Sequence, residues 1–315
     1  MPVTAVAAPG LQTTVQDLGR WGSQALGMPV AGAMDPRALR TANALVGNDA
    51  TTAGLEVAFI GPELVFDDER IVAVSGADFD LTVDGKLVGM NQPVLVGPGS
   101  RLAFGARRRG ARACLAVAGG ICVRLVLGSR ATHLASRIGG FAGRAVVAGD
   151  CLPLGDFPAG SRSRPIERRQ PLPSGFFSPP DRLRVLPGPQ HAKFVDTALD
   201  VLRSAPFVVS AQSDRMGFRL SGPRLDHRAG EEFISDPTPL GALQVPPSGQ
   251  PVLLMADRQT TGGYPKLATV ITADVHAAAQ LSPGDRVSFE VCTREEAVAA
   301  LIAEERALMT IEAGR

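Results

Sequence analysis

One short segment of the sequence, residues 255–273, collects polar side chains of several chemical types. It contains a carboxylate at Asp257, a phenol at Tyr264 and an ammonium at Lys266. Two consecutive glycines, Gly262 and Gly263, allow a ligand to come close to the backbone. An amide and two hydroxyls precede these glycines, at Gln259, Thr260 and Thr261. The segment therefore indicates a binding site for a small polar ligand, although a polar turn between two strands explains it equally well.

Short runs of Val, Leu and Ile separated by turns predict the strands that position this segment. An Asp-Gly pair between two such runs, at Asp84-Gly85, is typical of a tight β-hairpin. Many short strands at this spacing predict a mainly β protein built as a barrel or sandwich. The predicted strands are residues 71–75, 80–83, 94–96, 101–104 and 113–117, then 183–186, 207–210, 250–255, 268–271 and 286–291.

Helix signals are few. Asp35 is a good N-cap before Pro36, and apolar residues follow at helical spacing. Thr293 with Glu296 forms a capping box at the start of a C-terminal helix. Residues 190–204 are a third helix candidate.

A stretch crowded with Pro, Ser and Arg, residues 157–181, has neither helical nor alternating periodicity and is typical of a linker. The expected organisation is a β-barrel subdomain at residues 1–156, the linker, and a second β-barrel subdomain with a C-terminal helix at residues 182–315. At 315 residues the chain is long enough for two hydrophobic cores.

Charge and composition argue against several classes of protein. The net charge of +1 provides no field that would attract nucleic acid. The most apolar stretch, residues 114–128, is too short to cross a bilayer and contains Arg124, and no secretory signal opens the sequence. We therefore expect no nucleic-acid or membrane partner and a cytoplasmic location. The four histidines are widely separated, so no metal site is predicted.

Blocks of sequence along nearly the whole chain resemble one known family. The protein is similar to the family that contains the C subunit of 5-oxoprolinase, allophanate hydrolase subunit 2, the antagonist of the sporulation kinase inhibitor and the carboxyltransferase part of urea carboxylase. The blocks that carry the resemblance are residues 13–20, 32–35, 42–43 with 47–48, 75–78, 118–120, 127–130 with 132, 139–140 with 143–144, 213–217, 219–220, 241–246, 257–266 and 280–285.

The resemblance implies a fold and partners. It implies two cyclophilin-like β-barrel subdomains with a few short helices. It also implies a complex with two further proteins, one similar to the B subunit of 5-oxoprolinase and one similar to its A subunit. The leading hypothesis is an ATP-dependent 5-oxoprolinase that opens 5-oxo-L-proline to L-glutamate. In this hypothesis the chain is one subunit of the enzyme and is active only in the complex.

The family suggests a small lactam or amide as substrate, and this assigns roles to the polar residues. A planar amide needs a cation near its oxygen, a carboxylate near its N–H and groups that hold its plane. We expect Asp257 to engage the N–H and Lys266 or Arg215 to face oxygen or phosphate. The substrate-binding residues are predicted to be Gln244, Gln259, Thr260, Thr261, Gly262, Gly263 and Tyr264.

Two other functions remain open at this stage. One is a carboxyltransferase component that moves a carboxylate from carboxybiotin to urea or a related amide. Biotin would then come from a separate carrier, since no lysine lies in a Met-Lys-Met context. The other is a non-catalytic protein that binds and regulates its B-like partner. ATP is expected to bind the complex without an assigned site, because the chain has no GxxxxGK[ST] loop.

A second polar cluster lies near the start of the chain, at Gln16, Asp17 and Arg20. These residues could bind an anion. A role in fixing a loop is the favoured interpretation, because neighbouring charges more often serve geometry.

Overall fold

The computed structural model describes residues 2–156, 172, 182–228 and 234–313. Two compact units make up the chain. The first consists of Met1–Trp21, Ala31–Phe177 and Arg306–Arg315, and the second of Gly22–Val30 and Ser178–Glu305. The predicted linker lies outside the described residues, apart from residue 172, and the predicted division into subdomains stays a prediction.

The described part of the first unit contains a nine-stranded, nearly closed antiparallel barrel sheet. Its centre is the pairing of two long strands that bend at bulges, where Gly76 and Asp78 interrupt the regular register. The strands are β1 (Val3–Ala8), β2 (Gln12–Gln16), β3 (Gly54–Ala58), β4 (Glu63–Phe66), β5 (Arg70–Val83), β6 (Lys86–Val88), β7 (Val94–Val96), β8 (Arg101–Val117) and β9 (Cys151–Pro153).

Local signals in the sequence explain this sheet. The hairpin between β5 and β6 is confirmed: Val83 pairs with Lys86, and both turn residues, Asp84 and Gly85, have positive φ angles of 51° and 78°. Two such residues match the right-handed twist of the flanking strands, which is why Asp-Gly is favoured there. Leu55, Leu115 and other buried side chains of these strands fill the barrel interior.

Helix α1 (Pro36–Val46) packs on β5 and β8. Its predicted start is confirmed, because the Asp35 carboxylate accepts a hydrogen bond of 2.8 Å from the N–H of Ala38. Gly47 ends the helix in a left-handed conformation. Its buried face includes Leu39, which is fully inaccessible to solvent, so the cap orients a helix that belongs to the core.

The described part of the second unit contains an eight-stranded half-barrel sheet and a separate two-stranded ladder. The eight strands run in the order β18-β11-β12-β15-β14-β17-β10-β19, and β13 pairs with β16. The strands are β10 (Leu183–Pro187), β11 (Phe207–Val209), β12 (Gly217–Ser221), β13 (Asp236–Pro237), β14 (Ala242–Gln244), β15 (Val252–Leu254), β16 (Thr261–Gly262), β17 (Lys266–Val270), β18 (Arg286–Val287) and β19 (Phe289–Val291).

The chain between β15 and β17 is not the simple turn that the sequence allowed. Strand β14 lies between these two strands and is antiparallel to both. The connection therefore has to run the length of β14 before β17 can begin. On its way it forms β16, which pairs with β13.

The capping box at the start of the C-terminal helix is confirmed. Helix α4 (Arg294–Ala313) begins after Thr293, whose backbone N–H donates to the Glu296 carboxylate at 2.8 Å. The Thr293 hydroxyl in turn accepts from the N–H of Glu296 at 3.2 Å. Two further helices are short, α2 (Ala198–Ser204) and α3 (Val275–Ala279).

The prediction of one helix over residues 190–204 is wrong. A single 3-10 turn, His191–Lys193, is followed by extended backbone at Phe194 before α2 begins. Phe194 is 1% exposed and forms a bridge with His227, while the N–H of Val195 donates to the carbonyl of Asp226. Burial of the phenyl ring and pairing with a distant segment outweigh local helix propensity here.

None of the helices that the structure describes is both long and apolar enough to cross a membrane. The cytoplasmic location stays an expectation.

The N-cap of α1 gives a first prediction. Replacing Asp35 with Ala removes the acceptor for the Ala38 N–H and should lower the free energy of unfolding by about 1 kcal/mol or more. Chemical denaturation measures this change. The exposed Asp78→Ala in the same unit is the control and should shift stability by less than about 0.5 kcal/mol. An Asp35→Ala protein as stable as that control would contradict the role of the cap.

Candidate functional site

The clearest functional feature of the second unit is a buried lysine at the start of β17. Lys266 is 1% exposed, and its Nζ lies 3.2 Å from Oδ2 of Asp236 in β13. Gln190 contacts both residues. Its Nε2 donates to Asp236 Oδ2 at 2.7 Å, and its Oε1 accepts from the backbone N–H of Lys266 at 3.1 Å. One amide thus sets the positions of a cation and an anion from separate strands.

The charge state of Asp236 follows from these contacts. The hydrogen bonds from Gln190 and from Lys266 lower the pKa of the Asp236 carboxyl below its ordinary value, against a smaller opposing effect of burial. Asp236 therefore carries its negative charge at neutral pH. The ammonium and the carboxylate form an ion pair with one buried and one half-exposed partner.

This ion pair lines a pocket of about 330 Å³. Tyr264, which is 48% exposed, lies at the same pocket, and so does Lys193. Two of the three lysines of the chain therefore border one cavity. The volume suits a small ligand, and the surrounding donors suit one that carries oxygen atoms.

A pair of glutamines supports the chain next to this pocket. Gln259 Nε2 donates to Gln244 Oε1 at 3.2 Å, and Gln244 Nε2 donates to the backbone carbonyl of Tyr264 at 3.3 Å. Gly262 fits against both amides: a Cβ there would lie 2.5 Å from Gln244 Nε2 and 2.9 Å from Gln259 Nε2. Gly263 is different, since its Cβ would meet only the Ser235 hydroxyl, at 3.6 Å. The close approach thus requires glycine at one of the two positions.

Arg215 and Asp257 form a second, closed ion pair. Arg215 Nε and one terminal nitrogen each donate to a different oxygen of Asp257, both at 3.0 Å. The side chains are only 4% and 7% exposed. The Asp257 backbone N–H also donates to the Arg215 carbonyl at 2.9 Å. Both carboxylate oxygens are therefore occupied by a cation from the same unit.

The two ion pairs lie towards different ends of β14. Asp257 follows Leu254, whose carbonyl accepts from the N–H of Gly241 at 2.9 Å, whereas Lys266 lies opposite Gln244 in the register. Gly241 and Gln244 are three positions apart along extended backbone, which corresponds to roughly 10 Å. The structure thus brings Lys266, Tyr264, Gln244, Gln259 and Gly262 together and places Arg215 with Asp257 apart from them.

The remaining predicted residues act through the backbone or lie at the surface. The Thr260 carbonyl accepts from the N–H of Thr238 at 3.0 Å, and Thr261 is an exposed residue of β16 that pairs with Pro237. The predicted roles of all these residues in substrate binding or catalysis stay predictions.

Sequence reasoning missed Asp236, Gln190 and Lys193 at the pocket. The residues come from the two-stranded ladder and from a 3-10 turn, both distant in sequence from residues 255–273. The one available signal was the scarcity of lysine, which makes two lysines at one cavity notable. Arg258 was also missed: burial lowers the pKa of its guanidinium, which donates to the backbone carbonyls of Thr238 and Met255.

The N-terminal polar cluster fixes a loop, as favoured. Asp17 accepts from the Ser129 hydroxyl at 2.7 Å and from the backbone N–H of Arg130 at 2.6 Å. Arg20 donates to the carbonyl of Ala131 at 2.7 Å, and Gln16 to that of Thr132 at 3.0 Å. These side chains hold residues 129–132 against the barrel. Within the described residues of both units, no group of three or more His, Cys, Asp or Glu side chains is placed to hold a metal ion.

The closed ion pair should matter for stability. Asp257→Asn replaces the carboxylate that the buried Arg215 guanidinium contacts through both oxygens with a neutral amide, so the free energy of unfolding should fall by about 3–5 kcal/mol. The double variant Arg215→Met/Asp257→Leu should recover most of that loss, because it buries no charge. Asp226→Asn, at the exposed Arg224–Asp226 pair, is the matched control and should cost less than about 1 kcal/mol. Equal stability of Asp257→Asn and the control would argue against this interpretation.

The two glycines give a paired test. Gly262→Ala forces the amides of Gln244 and Gln259 apart and should cost about 0.5–1.5 kcal/mol for the lost hydrogen bond. Gly263→Ala should change stability by less than about 0.5 kcal/mol, since its Cβ has room. Thermal and denaturant unfolding compare the two variants. A larger effect at Gly263 would contradict the packing described here.

Comparisons with known proteins place the chain in a family. The carboxyltransferase domain, subdomain A and B, matches residues 26–291. The chain is 39% identical to the C subunit of 5-oxoprolinase from Escherichia coli (strain K12) over 291 residues, which cover 92% of each protein. The urea amidolyase of Kluyveromyces lactis superimposes with a TM-score of 0.90 at 29% identity, covering 98% of this chain and 20% of that one.

The urea carboxylase of Kluyveromyces lactis superimposes with a TM-score of 0.88 at 29% identity, covering 98% of this chain and 29% of that one. The chain thus spans a fraction of the urea amidolyase and urea carboxylase chains but nearly all of the 5-oxoprolinase subunit. The resemblance seen in the sequence blocks is confirmed. This protein belongs to the carboxyltransferase domain family, subdomain A and B, together with the C subunit of 5-oxoprolinase.

Proposed function

We propose that this chain is the C subunit of an ATP-dependent 5-oxoprolinase complex that converts 5-oxo-L-proline to L-glutamate. The observation that carries the proposal is the 39% identity to the C subunit of a 5-oxoprolinase over 92% of both chains. A match over 92% of both chains favours the same division into subunits. The proposed partners are an A-like and a B-like protein of the same complex, and the proposed location is the cytoplasm.

The pocket at Lys266 is the proposed substrate site. Its ammonium is desolvated, so its interaction with negative charge on a carbonyl oxygen is stronger than it would be in water. Tyr264 and Lys193 meet the ligand at the pocket wall. The backbone of Tyr264 is held in place by Gln244, Gln259 and Gly262. The connection between β15 and β17 is anchored by Thr260 and Thr261. Gly263 leaves open space on that segment.

The closed pair of Arg215 and Asp257 has a different proposed role. Because the Arg215 guanidinium donates to both oxygens of Asp257, we assign the pair to supporting the start of the connection between β15 and β17 and not to exchanging a proton with substrate. ATP is proposed to bind the assembled complex, and no site for it is assigned. The roles proposed for the residues of this chain do not involve contact with the nucleotide.

Carboxyl transfer to urea or a related amide is the second candidate. The match to the carboxyltransferase domain over residues 26–291 and the superposition on a urea carboxylase favour it. The same pocket would then receive the amide, and biotin would arrive on a separate carrier protein. This alternative needs the same donors from Lys266 and therefore predicts the same effect of losing that lysine.

The decisive experiment reconstitutes the complex. The chain is mixed with its A-like and B-like partners, and glutamate release from 5-oxo-L-proline is followed with and without ATP. We expect release only with ATP and all three proteins. Lys266→Met should lower the rate by a factor of at least about 100. Lys86→Met, at an exposed hairpin lysine of the first unit, is the control and should keep the wild-type rate.

Other results would decide between the alternatives. Carboxylation of urea in the presence of a carboxybiotin carrier, without glutamate release, would replace the proposal by the second candidate. Tight binding of the B-like partner without turnover of any amide would indicate a regulatory protein. An active complex in which Lys266→Met equals Lys86→Met would remove the pocket from the mechanism.

A further inference from the structure

The hydrogen-bonding capacity of Lys266 is only partly used. An ammonium has three N–H donors. Within the part of the chain that the structure describes, Asp236 Oδ2 is the one acceptor recorded for Nζ. The side chain is 1% exposed and lines the pocket, so a ligand bound in the pocket can reach the other donors. A buried charge with unused donors is costly unless a ligand completes it.

Asp236 has the complementary property. Both of its recorded partners, Gln190 Nε2 and Lys266 Nζ, contact the same oxygen, Oδ2. No described residue donates to Oδ1, and the side chain is 43% exposed at the pocket. The pocket wall therefore presents an acceptor oxygen beside a donor nitrogen, held together by their ion pair.

An acceptor beside a donor matches one edge of a cis amide. In a lactam, or in a urea group, an N–H and the C=O oxygen lie on the same side of the C–N bond. In an ordinary trans amide they point in opposite directions. We infer that the Lys266–Asp236 pair binds the cis edge of an amide: Asp236 Oδ1 accepts the N–H, and Lys266 Nζ donates to the carbonyl oxygen.

This inference deepens the proposed function and rests on it for the identity of the substrate. It assigns the N–H contact to Asp236, a residue that sequence reasoning did not select, and frees Asp257 from that role. Each oxygen of Asp257 already accepts a hydrogen bond from Arg215, whereas Asp236 Oδ1 accepts none from a described residue. Gln190 is the positioning residue, since its two hydrogen bonds fix the carboxylate and the start of β17 relative to each other.

The selectivity that follows is specific. Ligands with a cis N–C=O edge should bind, including 5-oxo-L-proline, urea and the ureido ring of biotin. Methylation of the nitrogen that faces Asp236 removes the donor and puts a methyl group against a carboxylate. The loss of a hydrogen bond to a charged group corresponds to a factor of roughly 10 to 150 in affinity. A trans amide such as N-acetylglycine should bind no better than the methylated lactam.

The test measures equilibrium binding to the assembled complex by calorimetry. The probes are 5-oxo-L-proline, urea and biotin, each beside a counterpart that is methylated at every amide nitrogen so that no N–H remains beside the carbonyl. We expect at least one cis amide to bind about tenfold or more tightly than its methylated counterpart. Asp236→Ala should abolish that preference, and Asp226→Ala, at an exposed aspartate of the same unit, should retain it. Asp236→Asn, which preserves the size of the side chain, should reduce the preference without abolishing it.

The outcomes separate this inference from the proposed function. Glutamate release by a complex whose preference for N–H ligands survives Asp236→Ala would overturn the inference and leave the proposed function standing. An Asp236-dependent preference for urea or biotin, in a complex that never releases glutamate, would support the inference and overturn the proposed function. Failure of every cis amide to bind, or equal affinity for N-acetylglycine and 5-oxo-L-proline, would overturn the inference.

Discussion

The order of three short strands is the constraint on which the candidate site depends. Strand β14 is antiparallel to both β15 and β17 and lies between them, so those two strands point in the same direction. Their connection must return along the whole length of β14. It passes beside Gln244, whose side chain contacts Gln259 and the Tyr264 carbonyl, and then delivers Lys266 to the pocket. A hairpin between neighbouring strands would have kept all these groups at one end of the sheet.

Two ion pairs with different properties lie at the two ends of the connection between β15 and β17. Arg215 and Asp257 form a two-point contact with both side chains buried. Lys266 and Asp236 share one contact of 3.2 Å, and Asp236 remains half-exposed at a cavity. Because Lys266 is buried, its unused donors interact more strongly with a polar ligand than they would in water. The Arg215–Asp257 pair is therefore suited to holding the connection between β15 and β17, and the Lys266–Asp236 pair is suited to binding a ligand in the pocket.

Local chemistry was readable from the sequence, whereas the pairing of distant residues was not. Asp35 caps α1, Thr293 starts α4 and Asp84-Gly85 turns a hairpin because each signal acts within a few residues. The polar segment before Lys266 was predicted from the many types of polar side chain that it contains. Gln190, however, reaches the backbone of Lys266 across 76 positions, and no local pattern encodes that contact. The failed helix over residues 190–204 has the same origin, since burial of Phe194 overrides propensity.

A shared amide edge has a consequence for how one fold serves different substrates. Urea, the lactam of 5-oxoproline and the ring of biotin all present an N–H beside a C=O, so a donor and an acceptor at one pocket do not distinguish among them. Discrimination among these ligands must therefore come from side chains that contact the part of the ligand outside the amide. Lys193 places a second cation at this pocket. A cation there favours a ligand that carries a carboxylate in addition to its amide, as 5-oxoproline does and urea does not.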